Sequence, residues 1–261
     1  MASLYIVATP IGNLQDITLR ALETLKTVDF IICEDTRHSS KLLFHFEISK
    51  PLISFHAHSS ERDLAKIMGM LGEGKSAAII SDAGTPGISD PGYMLIQACR
   101  KENISVIPIP GASAFLTALM ASGLPTNRFW YYGFLPAKKG REALFKKFAT
   151  LTNETIVTYE SPYRILRTLE KMTLIMPDRQ IVLARELTKI HEEFLKGTVS
   201  ELYAIFRQRS KIQGEFVMII APENWDESES GDEKPAVKIP RVKKQKYLPK
   251  TSKAHSELNE E

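Results

Sequence analysis

Residues 81–92 read SDAGTPGISDPG, and they concentrate side chains and backbone features that could do chemistry. Asp82 and Asp90 place carboxylates on either side of a turn, while three glycines and two prolines exclude a regular helix or strand. Gly84, Gly87 and Gly92 let backbone approach a ligand closely. The loop is neither G-x-x-x-x-G-K-[ST] nor G-x-G-x-x-G, and no lysine stands ready for a phosphate. Two acids without a base disfavour a polyphosphate and suit a ligand with hydroxyls, an amine or positive charge. A rigid turn without a ligand is the plainer alternative. Two other segments share the design: TPIGN at 9–13 and PGASA at 110–114, each placing small, constrained residues after an apolar run. Three such loops can meet along one sheet edge and build a single site.

The elements that must position these loops are legible in the hydrophobic pattern. The first half alternates short apolar runs with helical periodicity, which predicts βα units and a largely parallel sheet. Strands are expected at 4–9, 29–33, 51–55, 76–80 and 104–109. Helices are expected from Leu19, with Thr18 as N-cap, and at 37–46, 61–71, 93–100 and 114–121. A turn-rich stretch at 122–127 marks a break. Beyond it, strands at 129–135, 155–159, 180–185, 193–196 and 215–221 predict a mixed sheet, with helices at 141–148, 163–172 and 199–208. The expected fold class is therefore α/β, with an N-terminal domain at 1–122, a C-terminal domain at 123–222 and a charged, disordered tail at 223–261.

Composition narrows the class. The chain has 261 residues, 43% hydrophobic and 25% charged, which is ordinary for a globular protein. No apolar run approaches the ~18–20 residues of a membrane span, and the N-terminus does not read as a signal peptide. Cys33 and Cys99 form no CxxC and no metal spacing, so a reducing cytoplasm is the expected home. His56 and His58 have no third ligand nearby in sequence, so no metal is expected. The net charge of +3 is mild. Residues 226–233 carry five acids, and 238–253 carry seven bases and no acid. The basic run is either a solvated tail or an arm that gains nucleic-acid affinity by counterion release.

Seven segments come in a fixed order: YIVATPIGNLQDITLRALETL, CEDTRHS, SDAGTPGISDPG, PIPGASA, YESPYR, RELTKIHEEFLKG and GEFV. As a set they closely resemble the ribosomal RNA small subunit methyltransferase I family, within the tetrapyrrole methylase superfamily. The resemblance covers about residues 3–221 and leaves the tail outside. One departure is visible: where the family shows an H-x-H-N-E-like segment, this chain has His56-Ala57-His58-Ser59-Ser60-Glu61.

The resemblance implies two α/β domains with S-adenosylmethionine in the cleft between them, and a homodimer. It implies methylation of the ribose 2′-hydroxyl of a cytidine in the decoding region of small-subunit (16S) rRNA, free or in an assembled subunit. Carried over by motif, the cofactor site would include Pro10, Gly12, Asp82, Ala83, Gly84, Thr85, Ser113 and Ala114. Tyr159, Leu187, Glu215 and Phe216 would close it from the second domain. A methyl on a cationic sulfonium leaves behind a neutral thioether, so transfer chiefly needs in-line positioning. The alcohol nucleophile is weakly acidic and calls for a base or electrostatic help. Glu186 and Lys189 are the candidates, with Lys189 stabilising an alkoxide or binding an rRNA phosphate, or else simply bridging to Glu192 or Glu193. Glu34 and Asp35 end a strand on the cleft side, with an ion pair to Arg37 or a helix N-terminus as the plainer reading. Arg37, His38, Lys138, Lys139, Arg141 and Arg164 are candidate RNA contacts. Tyr163 could stack a base, whereas Tyr131 and Tyr132 read first as packing residues. Two rival functions keep the same fold: a C-methyltransferase acting on a tetrapyrrole, and a non-catalytic ribosome-assembly factor.

Overall fold

Strands and helices alternate through the first half as the hydrophobic pattern requires. A computed structural model describes residues 2–89 and 92–225; Asp90, Pro91 and the charged segments of 226–261 lie outside the described residues. The order is β1 (Ser3–Val7), α1 (Leu19–Thr27), β2 (Phe30–Cys33), α2 (Thr36–His45), β3 (Leu52–Ser54), α3 (Glu61–Gly72), β4 (Ala77–Ile79), α4 (Gly92–Lys101), β5 (Ser105–Ile109) and α5 (Ala114–Ala121). The five strands form one parallel sheet in the order β3-β2-β4-β1-β5. Successive residues of β2 serve opposite faces, the period of an extended strand. Phe30 and Ile32 join Ile67, Leu71 and Leu95 of α3 and α4 on one face, and Ile31 and Cys33 join Ala21, Leu25 and Leu43 of α1 and α2 on the other. A sheet covered on both faces explains why its strands read as unbroken apolar runs.

The second half continues with β6 (Phe129–Phe134), α6 (Arg141–Ala149), β7 (Thr155–Glu160), α7 (Ile165–Thr173), β8 (Gln180–Arg185), β9 (Glu193–Thr198), α8 (Val199–Arg207) and β10 (Phe216–Ile220). Their sheet runs β6-β7-β10-β8-β9 and is mixed: β6 lies parallel to β7, and the other pairs are antiparallel. Helices α6, α7 and α8 cover one face. The other face, with Val157, Val182, Val217 and Ile219, packs on Ala118 and Leu119 of α5. Helix α5 follows β5 in the chain but has its buried residues in the core of the second half, and the chain through Trp225 forms one compact unit.

Strand β6 is broken by a bulge. Tyr131 pairs with Val157 and Gly133 with Thr158, leaving Tyr132 as the extra residue. Gly133 has φ +79°, the left-handed conformation that a one-residue bulge asks of a glycine. In an uninterrupted strand Phe134 would share the face of Trp130 and Tyr132. The bulge instead turns it toward Tyr159, with ring centroids 5.2 Å apart, while Trp130 and Tyr132 pack on Phe148 on the other side.

The elements follow the sequence reading closely. Helix α5 has the expected bounds, and Thr18 caps α1 by accepting from the Ala21 backbone at 3.1 Å. The 3-10 turn at Leu14–Asp16 was not expected. The His56–Glu61 segment is a capping turn: His56 N–H donates to Ser59 Oγ at 2.8 Å, and Ser60 and Asp63 form a capping box for α3. Cys33 and Cys99 are both free and buried. Among the described residues no helix is long and apolar enough to cross a membrane, and no group of three or more His, Cys, Asp or Glu could hold a metal ion.

Candidate functional site

The three small-residue loops meet at the carboxyl ends of β4, β1 and β5, three neighbouring strands. Thr9 and Gly84 form a two-way backbone bridge, at 2.8 and 3.0 Å. The buried Thr9 hydroxyl donates to the Ser81 carbonyl at 3.0 Å, and the Thr85 hydroxyl donates to the Ala112 carbonyl at 3.1 Å. A Cβ on Gly111 would lie 2.9 Å from that of Ala8, so the third loop packs on the first with no space for a side chain. Each loop thus fixes another, mostly through backbone groups.

Below them opens a cavity of about 540 Å³ between the two sheets. That falls within the ~300–1,000 Å³ usual for small-molecule sites. Of the residues carried over for the cofactor, Asp82, Ala83, Gly84, Thr85, Ser113 and Ala114 line it from the first half. Tyr159, Leu187, Glu215 and Phe216 line it from the second. Pro10 and Gly12 do not. Gly12 instead backs against the second half: a Cβ there would sit 2.8 Å from Thr188 Oγ1 and 2.9 Å from the Leu187 carbonyl oxygen. Asn13 N–H donates to that same Thr188 hydroxyl at 3.0 Å. The first loop is a joint between the halves and touches the cavity through Ile11.

The lining also includes Ile88 and Ser89 of the 81–92 loop, Phe115 and Phe134, which the sequence did not single out, and Ser161 and Pro162 of the YESPYR motif. Four carboxylates border the cavity, Glu34, Asp82, Glu160 and Glu215, and among the described residues no Lys, Arg or His does. Glu160 is fully buried and already matched. It accepts from Arg141, from Arg164 Nε at 2.9 Å, from the Thr168 hydroxyl at 2.7 Å and from Ser161 N–H at 2.8 Å. Burial, with Tyr131 beside it, pushes the Tyr159 phenol well above the usual tyrosine range, so it stays a neutral hydroxyl. Ser113 makes no capping bond for α5, so its hydroxyl is not committed to the helix it begins.

Glu186 and Lys189 stand beside the cavity and do not line it. Lys189 Nζ donates to Glu186 at 3.0 Å and to Glu215 at 3.1 Å, not to Glu192 or Glu193. Glu186 also accepts from Glu215 N–H at 3.0 Å. Desolvation works against the Lys189 ammonium, but bonds to Glu186 and Glu215 outweigh it and hold its pKa above the usual lysine range. Desolvation likewise opposes the Glu186 carboxylate, and Lys189 and the Glu215 amide outweigh it, drawing the pKa down. Both groups are therefore charged at neutral pH. Glu186 and Thr188 have φ of +52° and +64°, a turn that costs on the order of 1–3 kcal/mol per residue and persists because this network holds it.

The candidate RNA contacts separate. Arg37 is exposed and bonds Asp35, which also caps α2 by accepting from the Arg37 backbone at 2.8 Å. That is the plainer of the two readings for Asp35, whereas its neighbour Glu34 borders the cavity. His38, Lys138 and Lys139 are exposed. Arg141 corrects the expectation. Its side chain is only 3% exposed, and its guanidinium is committed to Glu160 and Thr168, so it cannot meet a phosphate. Arg164 is half-withdrawn, bonded to Glu160 and to the Leu135 carbonyl at 3.3 Å. Tyr163, at 95% exposed, stands free beside Pro162 at the cavity edge.

Comparison with known proteins agrees with this geometry. A model of the family Tetrapyrrole (Corrin/Porphyrin) Methylases matches residues 3–203. A ribosomal RNA small subunit methyltransferase I from Halalkalibacterium halodurans is 49% identical over 84% of this chain and 75% of its own length. The protein of that name from Thermotoga maritima is 46% identical over 85% of this chain and 99% of its own. Among solved structures, a uroporphyrin-III-C-methyltransferase from Thermus thermophilus superposes with a TM-score of 0.60 at 18% identity, covering 86% of this chain and 96% of that one. A diphthine synthase does so with a TM-score of 0.63 at 15% identity, over 84% and 90%. At such identities the structural likeness speaks for the fold alone.

Proposed function

The chain belongs to the tetrapyrrole methylase family and, within it, to ribosomal RNA small subunit methyltransferase I, and from that premise we propose that it methylates the ribose 2′-hydroxyl of a cytidine in the decoding region of 16S rRNA. The observation that carries the donor half of this reading is the lining of the cavity: Glu34 and Asp82 border it besides the ion-paired Glu160 and Glu215, and, among the described residues, no base does. That lining suits a cationic ligand and repels a polyphosphate. S-adenosylmethionine supplies an activated methyl on a sulfonium cation. Asp82, Gly84, Thr85, Ser113, Ala114 and Tyr159 would hold it, with Ala83, Leu187, Glu215 and Phe216 completing the walls. Pro10 and Gly12 act one step back, by seating the first loop.

The chain's own part in the transfer is positioning and charge. Apolar wall residues keep water from the methyl, and the interlocked loops fix its direction. Lys189, kept protonated by its two carboxylates, is not a base. In this reading it stabilises, from the cavity's edge, negative charge developing on the ribose oxygen as the hydroxyl proton passes to solvent water, and Glu186 holds it in place. Arg37, His38, Lys138 and Lys139 take the RNA backbone, with the basic run at 238–253 as an added arm. Division into domains at residue 123, a homodimer and a cytoplasmic location belong to the same reading.

The test supplies labelled S-adenosylmethionine with purified small subunits, naked rRNA or a tetrapyrrole precursor. Label in a ribose of the rRNA is the expected result. Label in the tetrapyrrole would replace the acceptor, and no transfer to any of them would favour an assembly factor.

A further inference from the structure

The loop after β4 is held at two points. Its start is pinned to the first loop by the Thr9–Gly84 bridge. Its far end crosses to the other sheet, where Ser89 Oγ and Tyr131 OH share a hydrogen bond of 2.8 Å. Residues 85–89 thus span the space between a first-half anchor and a second-half anchor, and Thr85, Ile88 and Ser89 face the cavity.

Three separate features converge on that second anchor. Ser89 has φ +67°, an uncommon conformation for a serine, which persists only where its surroundings fix it. The bulge in β6 places Gly133 where a Cβ would lie 3.2 Å from Ser89 Oγ and 3.9 Å from Tyr131 OH, so glycine leaves room for the contact. Tyr131 is itself set by its neighbours, its ring 4.5 Å from Phe115 and 5.7 Å from Tyr159. Tyr159 in turn lines the cavity, so the second anchor backs directly on the cavity wall.

We propose that Ser89 and Tyr131 form a clasp between the two halves that positions the loop at 85–89 over the cavity and so sets the affinity for the methyl donor. Both are positioning residues acting through the loop. The inference rests on reading the cavity as the S-adenosylmethionine site.

The experiment measures S-adenosylmethionine binding by calorimetry to the full-length wild type, Ser89→Ala, Tyr131→Phe and the double variant. Melting temperature, and kcat and KM for transfer to small subunits, are followed in parallel. Tyr131→Phe keeps the ring contacts and so preserves the fold. Each single variant is expected to weaken donor binding about five-fold, the worth of one neutral hydrogen bond. The double variant should be no worse than about two-fold beyond either single one, because both remove the same bond. KM for the donor should rise more than kcat falls, with little change in melting temperature. Unchanged affinity in either single variant, or a double variant weakened by the product of the two singles, would overturn the clasp while leaving the donor site standing. A wild type that binds no S-adenosylmethionine would overturn both.

Discussion

The two walls of the cavity are built by different physics. The first-half wall is three short loops joined mainly through backbone groups: the Thr9–Gly84 bridge, the Thr85 hydroxyl on the Ala112 carbonyl, and Gly111 against Ala8. The second-half wall is held by charged side chains, Glu160 with Arg141 and Arg164, and Lys189 with Glu186 and Glu215. Backbone joints depend on space and little on charge. The buried network around Glu160 depends on every partner being present, because a charge left alone there is costly. One cavity therefore has a wall sensitive to shape and a wall sensitive to charge.

The contrast is tested hardest at Glu160. Replacement by Ala strands the Arg141 guanidinium inside the protein and should cost about 3–5 kcal/mol in urea unfolding. A loss below about 1 kcal/mol would mean that the charged wall does not depend on its pairs. Gly12→Ala is the matching blow to the other side. Its added methyl meets the Leu187 carbonyl, which is backbone and cannot swing away, so about 1–3 kcal/mol should be lost with no dependence on salt. Asp82→Ala should leave melting unchanged, since the turn is set by its glycines, prolines and the Thr9 bridge. Donor affinity should fall about ten-fold or more by calorimetry, the worth of a charge-assisted contact. Equal binding by the variant would remove Asp82 from the site.

The smallest effect is on acid stability. The hydrogen bond from Arg209 to Glu193, 2.5 Å long, lowers the pKa of that carboxylate, and Arg185 adds to it. A carboxylate depressed in the folded state contributes stability that is fully present above its unfolded pKa, about 4.3, and is lost as pH falls through the lower folded value. Glu193→Gln should flatten the acid limb of the stability curve by under about 1 kcal/mol, because the pair is partly solvated. An unaltered acid limb would show that the pair contributes nothing.

What could be read in the sequence follows the same division. The loops of the first wall announce themselves by composition, since only Gly, Pro and small residues fit where strands end and backbones touch. Asp82, Gly84, Thr85 and Ser113 accordingly line the cavity. Gly12 belongs to the same pattern but serves the joint, because a glycine demanded by a neighbouring backbone looks identical in sequence to one demanded by a ligand. The second wall was harder. Arg141 follows Lys138-Lys139-Gly140 and reads as part of a surface run. Its true partner, Glu160, comes 19 residues later, and nothing local reveals the pairing. Phe134 was hidden for another reason: alternation along β6 puts it on the wrong face, and only the bulge at Gly133 brings it around. The helices and strands are legible almost in full because each carries its own period, which needs no distant partner to be seen.

Among the described residues, the last strand to be made is the middle of its sheet. β10 lies between β7 and β8 and pairs with both. Glu215, Phe216 and Val217, at its leading end, border the cavity. Until that segment leaves the ribosome, β6–β7 and β8–β9 are two ribbons with facing open edges, hydrogen-bonding groups unpaired and apolar residues uncovered. A nascent chain paused before residue 216 has its first sheet complete and lacks one wall of the cavity. Synthesis and competence to bind are thereby coupled: a truncated product is more prone to aggregate than to act, and the protein becomes an enzyme only when β10 slots into place.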